Sequence, residues 1–494
     1  MTIVVQARTA AGRVGSALWR ATRRMNGWQV LLAVAIAWYV WNFTHTSLRI
    51  HYGLGTSAYD FGLYDQGTWL LSRFKAPFVT LMGRNLFGDH TSLIMLLVVP
   101  FYWVAPSAGT LFFLQSAALG GAAIPVYLLA RRRLGSEPAA VALGVAFLLH
   151  PALTTTNLEE FHPDAFLPLL VGFAIYFAVY SRWIPFSVFV LLSLLVKEDV
   201  ALVIVPLGIW VALRRDRVIG LVTIALGVGT LIFAMLLFET LSGRAVPNAW
   251  RIPFGGVIGF LIAVVKRPGE VFDYLLADGR PWYLWQLTVP YVWLFLLLPE
   301  IAAISALVVF SNTISNFGYQ HLIGFHYTAV ILPGLAMGTV YALARLRGGL
   351  KTLGVAAVLL MSLWAGYLWG RFPFGRDPGA YWTPSHEVAV AARELIPLVP
   401  EDAIVSAHYA ITAHLTHREK VYMFPNPFST ILYGTFTTVL DEGRRLPIAD
   451  EVEYVFLKTT LGESEEAVWL SEMGAFEQVA ANEHWVLWRR AESG

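Results

Sequence analysis

The sequence predicts an all-α polytopic membrane protein with a small α/β region at its C-terminus. Three observations carry that prediction. Of 494 residues, 57% are hydrophobic and 14% charged, against roughly 25% charged in soluble domains. Apolar stretches near the length needed to cross hydrocarbon recur along the first three quarters of the chain. From Arg371 onward the composition changes sharply toward charged residues, helix patterns and strand patterns. The 18 Trp and 20 Tyr suit interfacial aromatic belts. The Cys count of 0 excludes disulfides, thiolate metal sites and cysteine nucleophiles. A net charge of +2 decides nothing about polyanionic partners, so the placement of the basic residues matters more.

The stretch 1–27 is basic and reads as a cytoplasmic tail ahead of a signal-anchor helix at Trp28–Phe43. Basic clusters favour the cytoplasmic side of short loops. Placing the tail, Arg131–Arg133, Arg182, Arg214–Arg217 and Arg345–Lys351 inside fixes most of the path. A long outer loop, 44–109, follows the first helix. Its apolar run Leu93–Val104 reads as juxtamembrane or re-entrant, because a full crossing there would put Arg131–Arg133 outside. Further helices are expected at Thr110–Ala130, Ala139–Thr154, Ala165–Tyr180, Ile184–Val196, Val200–Leu213 and Val218–Phe238. After an outer segment reaching about Pro281, more follow at Tyr283–Leu298, Ile301–Ser315, Tyr327–Ala344 and Leu353–Trp369. That makes about eleven crossings, a transmembrane domain at 28–370 and an extracytoplasmic α/β region at 371–494. In the latter, helices are expected at Ser385–Leu395 and His408–Leu415. Strands are expected at Ala403–Ser406, Val421–Phe424, Val452–Leu457 and Trp485–Trp488.

This topology puts most membrane-proximal ionisable residues other than the basic clusters on the outer face. A stretch from Ser57 to Gln66 holds Asp60 and Asp65, either of which suits a general base or a cation ligand. Asp60 equally suits a helix N-cap. Asp89 and His90 lead into the juxtamembrane helix; Asp89 can cap it, and His90 can meet a phosphate or move a proton. In Asn157–Asp164, Glu160 and His162 suit metal ligation or a base with its orienting partner, while Asp164 suits a helix cap. Lys197, Glu198 and Asp199 lie between two apolar runs. Each costs about 2.5–3.5 kcal/mol at a lipid-facing helix centre, so they belong at a surface, in pairs, or along a wet cavity. Tyr319, His321 and His326 suit stacking on a sugar and contacts to its hydroxyls, or an aromatic belt. His408, His414 and His417 read as surface residues of the tail.

The order of these motifs resembles a domain-of-unknown-function family of bacterial and archaeal predicted polytopic membrane proteins. The resemblance is carried by Tyr59-Asp60-Phe61-Gly62, Asp65-Gln66, Asp89-His90, Glu160-Phe161-His162-Pro163 and Val196-Lys197-Glu198-Asp199, and by the tail stretch Ser406–Pro425. More distantly, the layout is similar to the GT-C class of glycosyltransferases, which keep an acidic residue in a long first outer loop. That resemblance implies a sugar donor carried on a polyprenyl phosphate in the bilayer, and an envelope glycan or glycolipid as acceptor. No nucleic-acid partner is expected. On this reading Asp60 is the expected base or metal anchor, with Asp65, Glu160 and His162 completing a catalytic set. Lys197 with His90 or His162 is the expected phosphate partner. Glu160, Glu198 and Asp199 would orient those cations or hold a divalent cation, for which Asp60, Glu160 and His162 are the expected ligands. Two other readings stay open: a transporter or flippase for a lipid or polyprenyl-linked sugar, and a non-catalytic envelope sensor.

Overall fold

The structure is a computed structural model that describes residues 25–243, 248–379, 381–431 and 443–492. All but the end of the expected N-terminal tail, 1–27, lies outside the described residues.

Among the described residues, five helical segments are long and apolar enough to cross a membrane: Ala108–Leu134, Arg217–Ser242, Ala249–Lys266, His326–Arg345 and Gly348–Trp369. A sixth arises if Glu137–Leu148 and Pro151–Leu158, bent by 45°, form one broken span. The bend has a local cause. Pro151 has no amide hydrogen and pushes His150 into extended backbone, where the His150 ring accepts from the Ala152 amide at 3.2 Å. Arg217–Ser242 leaves Leu221, Phe233 and Leu236 exposed, a surface that water would not tolerate on this scale but hydrocarbon does. The protein is a multi-pass membrane protein.

Several boundaries differ from the sequence reading. Trp28–Phe43 is the first part of a longer helix, Gly27–Tyr52, opened by a capping box between Asn26 and Gln29. The segment expected as an outer stretch up to Pro281 contains Ala249–Lys266, whose apolar run Val257–Val265 was overlooked because Arg251, Pro253 and two glycines precede it. In place of Tyr283–Leu298, an α-helix covers Arg280–Thr288 and two short 3-10 turns follow, Val289–Tyr291 and Leu294–Leu297, separated by Val292 and Trp293, both at positive φ. Met95–Val104 spans 10 residues, about 15 Å of helix and half the hydrocarbon thickness.

The helices define two poles. Lys197, His162 and His326 precede helices that run toward Arg214, Tyr180 and Arg345 respectively. At the far pole Arg132 stacks 4.6 Å over Tyr180, Arg133 stacks 4.4 Å over Tyr341, and Arg214 meets Glu300 at 3.0 Å. Arg132, Arg133 and Arg214 therefore collect at one end of these helices and the acid–histidine motifs at the other.

A two-residue hairpin, β1 (Phe78–Val79) with β2 (Arg84–Asn85), lies in the first loop. The C-terminal sheet comprises β3 (Val405–Ala407), β4 (Val421–Met423), β5 (Tyr454–Lys458), β6 (Phe476–Ala481) and β7 (Trp485–Arg490), in the order β4-β3-β5-β7-β6. β3 is parallel to β4 and β5, and β7 is antiparallel to β5 and β6. β6 has no counterpart in the sequence reading because its side chains do not alternate between buried and exposed. The sheet grips the first loop. Gln66 Nε2 donates to the carbonyls of Arg418 and Glu419, and the Thr80 hydroxyl donates to the Val421 carbonyl at 2.7 Å.

Candidate active site

The centre is built on a loop, Glu159–His162, held from two sides. In the Ala108–Leu134 span, buried Gln115 donates to the carbonyls of Asn157 and Glu160 at 2.9 and 2.6 Å and accepts from the His162 amide at 3.0 Å. From the first loop, the amides of Ser57 and Phe61 donate to the Glu160 carboxylate at 3.1 and 2.9 Å. Glu160 is thereby a clamp between two loops about a hundred positions apart in sequence. Burial, then the Asp60 charge, raises its pKa to about 7 against the pull of those amides.

That clamp places Asp60 against His162, with Oδ1 3.5 Å from Nε2. Asp60 makes no side-chain cap bond to the helix Phe61–Ser72 that follows it, and its φ is 25°. Such a non-glycine conformation costs about 1–3 kcal/mol and is retained where the surroundings dictate it; Glu160 is a second case, at φ 58°. The Asp60 carboxylate is half-exposed, whereas His162 is buried. Burial works against ionisation of both groups, but their attraction outweighs it. Asp60 is held below the usual carboxylate range, and His162 is raised to about 9 with help from Glu159 and Asp164. The His162 ring stacks on His326 at 3.8 Å.

Glu159, adjacent to the expected Glu160, accepts from the His326 backbone amide and meets His326 Nδ1 at 3.1 Å. Burial raises its pKa to about 8. Glu159, His162 and His326 offer ligand atoms that all lie within 4.8 Å of one another. Asp60 and Glu160 are not in that group, so it differs from the set expected from sequence.

A cavity of about 340 Å³ is lined in part by Asp164 and Leu167, just after this loop in the chain. Its polar wall includes His90, Asp164, Lys197, Arg251 and Tyr327. Buried Lys197 lies 3.5 Å from Asp164, 3.8 Å from Asp199 and 5.3 Å from the Tyr327 ring centre. Burial disfavours its charge, but Asp164 and Asp199 outweigh that and hold it protonated. His90 Nδ1 pairs with Glu198 at 2.8 Å, and Glu198 also accepts from the Thr91 amide at 3.2 Å. Asp89 pairs with Arg84 and makes no cap to Met95–Val104, whose N-cap is Ile94. Arg251 was absent from the sequence reading. Its guanidinium packs 4.5 Å over Phe317, and among the described residues its Nε has no hydrogen-bond partner. Leu231, Ala234, Met235 and Phe238 of the Arg217–Ser242 span supply apolar lining.

A family model described as "Predicted membrane protein (DUF2079)" matches residues 50–485. The chain belongs to that family. Asp60, the Glu159–His162 loop, Lys197 and the β3–β4 segment that grips the first loop all fall inside the DUF2079 match. No curated protein matches the chain. Among solved structures, it is similar to ArnT from Cupriavidus metallidurans bound to undecaprenyl phosphate, with TM-score 0.57, 14% identity, and coverage of 94% of this chain and 98% of that chain. The apo state of the same protein gives TM-score 0.54 at 14% identity, covering 94% and 97%. The DUF2079 chain thus shares its fold with ArnT over nearly its whole length.

Not every expected residue joins the centre. Tyr319 is exposed and packs on Phe325 at 4.5 Å. His321 is buried against the Asn312 backbone, outside the cavity lining. Asp65 turns to the C-terminal region, accepting from the Tyr102 and Thr416 hydroxyls and pairing with His417 at 3.2 Å. The tail histidines are therefore not free surface residues: His408 is buried, His414 packs tilted on His51 with ring centres 4.2 Å apart, and the partly exposed His417 pairs with Asp65.

The Asp65–His417 pair predicts a pH dependence. Burial opposes both charges, but mutual attraction wins; Asp65 is lowered and His417 raised, with Arg73 and Arg418 opposing His417. The lowered Asp65 stabilises fully above its unfolded pKa of about 3.9, and this is lost as pH falls through its folded value. The raised His417 stabilises fully below its unfolded pKa of about 6.5, and this is lost as pH rises through its folded value. The pair therefore contributes most between about pH 4 and 6.5. In detergent melts, His417→Gln should lower Tm most within that window and progressively less above it. An equal loss at pH 5 and pH 9 would contradict the pairing.

Proposed function

We propose that the protein is a GT-C-type membrane glycosyltransferase that moves a sugar from a polyprenyl-phosphate donor to an envelope glycan or glycolipid acceptor on the outer face. The observation that carries the reading is the cavity lined by His90, Asp164, Lys197, Arg251 and Tyr327. Its lining offers the cations Lys197, Arg251 and His90 to a phosphate, and the apolar residues of the Arg217–Ser242 span to a prenyl chain. ArnT, which shares the fold, is solved with undecaprenyl phosphate.

The chemistry follows from that layout. The acceptor hydroxyl oxygen attacks the anomeric carbon, the bond from that carbon to the phosphate oxygen breaks, and polyprenyl phosphate leaves with the bonding electron pair. The hydroxyl proton passes to Asp60, whose carboxylate is half-exposed. Lys197 and Arg251 steady the departing phosphate, and His90 adds a third cationic group when protonated. His162 keeps Asp60 ionised and aimed. The oxocarbenium-like transition state needs no protein acid, because the phosphate is already a good leaving group. Tyr319, outside the centre but exposed nearby in sequence to His326, is the proposed stacking residue for the acceptor sugar.

The orientation belongs to the same proposal. With the basic pole cytoplasmic, the N-terminal tail lies inside, the chain crosses about eleven times, and the centre and residues 371–494 face outward. Soluble nucleotide sugars are absent there, which favours a lipid-borne donor. In proteoliposomes containing radiolabelled polyprenyl phosphate sugars and envelope glycolipids, label should move into the acceptor fraction. Label that crosses the bilayer while staying on its carrier would overturn the transferase in favour of a flippase, and unchanged label would overturn both.

A further inference from the structure

We infer that Glu159, His162 and His326 form a binding site for one zinc-type divalent cation that fastens the Glu159–His162 loop to the start of the His326–Arg345 span. Two imidazoles and a carboxylate make a nitrogen-rich, borderline set of the kind zinc takes, unlike the all-oxygen sets of magnesium and calcium. Their ligand atoms lie within 4.8 Å of one another. Bonds of about 2.0–2.1 Å to a tetrahedral ion require about 3.3 Å between donors, so binding requires the three side chains to rotate toward one another.

A second observation is independent of the spacing. His162 is 3% exposed, yet among the described residues its Nδ1 has no hydrogen-bond partner and its Nε2 meets only the Asp60 carboxylate, 3.5 Å away. A buried ring nitrogen is rarely left unpartnered, and an ion at Nδ1 removes the anomaly. Asp60 Oδ1, 3.5 Å from His162 Nε2, supplies the outer carboxylate that commonly backs a metal-bound histidine. The His326 backbone amide donates to Glu159 and so orients that carboxylate. The rings of His162 and His326, from loops 164 positions apart, lie side by side, 3.8 Å apart and 20° from parallel; one must turn out of the stack for both in-plane lone pairs to meet the ion. An ion there fixes the loop whose next residue, Glu160, clamps Ser57 and Phe61. It would hold Asp60 in place without touching it.

The site is tested on metal content, separately from transfer. The full chain, purified in detergent, stripped with a chelator and reloaded with zinc, should retain about one ion per chain after dialysis and melt at a higher temperature with it. Glu159→Gln and His326→Asn should each retain about a tenth or less and lose the zinc-dependent rise in Tm, while remaining monodisperse on size exclusion. Wild-type protein that holds no zinc, or variants that hold as much as wild type, would overturn the site. Should either variant aggregate, cobalt-loaded wild type decides. Intense visible bands displaced by added zinc support four-coordinate nitrogen–oxygen ligation, and their absence overturns it. Zinc retained without glycosyl transfer would count against the transferase alone; transfer without zinc binding would count against this site alone.

Discussion

Replacing Asp60 by Asn should lower sugar transfer by about 10²–10⁴-fold, the range for loss of a positioned general base. The substitution keeps the size and polarity of the side chain. Asn also tolerates positive φ better than most residues, so the strained turn at φ 25° is preserved. What disappears is the charge facing His162 and the site for the acceptor proton. Transfer from a labelled donor, measured alongside the melting temperature of the same preparation, separates chemistry from folding. Full activity with an unchanged Tm would remove Asp60 from the mechanism.

Replacing Lys197 by Met should weaken the protein in two ways at once. Lys197 is the counter-charge of Asp164 and Asp199 in a buried setting. Removing one partner of a buried pair costs about 3–5 kcal/mol, because the remaining carboxylates must protonate or admit water. The cavity also loses a phosphate-facing cation, so polyprenyl phosphate binding should fall by about 10²-fold or more, as expected for losing a hydrogen-bonded charge partner. Lys197→Arg keeps the charge and should recover most of the stability and only part of the binding, since the planar fork does not occupy the position of a point charge. Native mass spectrometry with added polyprenyl phosphate, together with thermal melts, reads both effects. A Met variant that binds as tightly as wild type would exclude Lys197 from the donor site.

Much of this arrangement is visible in the sequence because lipid penalises charge so heavily. A Lys-Glu-Asp run between apolar helices has few physical options, and the structure gives Lys197 two of them, paired carboxylates and a cavity wall. The rest depends on three-dimensional facts that local pattern does not carry. Glu159 and Glu160 are neighbours of one type; which faces His326 and which clamps the first loop is set by the positive φ of Glu160. Gln115 sits mid-helix with no motif around it, yet it holds the loop from below. Arg251 was hidden inside a stretch read as connecting loop. For Asp65 a signal existed. Five positions at 100° each set it about 140° around a helix from Asp60, which argues against one shared site, and its partners are indeed Tyr102, Thr416 and His417.

The grip of Gln66, Thr80 and Asp65 on residues 416–421 bears on how such proteins can be cut and recombined. A version truncated after residue 370 would strand a carboxylate, an amide and a hydroxyl that now find their partners in the missing piece. The C-terminal region is thus not a detachable accessory. A chimera borrowing another member's tail would have to import the matching stretch from about Ala58 to Thr80 with it, and evolution faces the same rule: these two segments must change together.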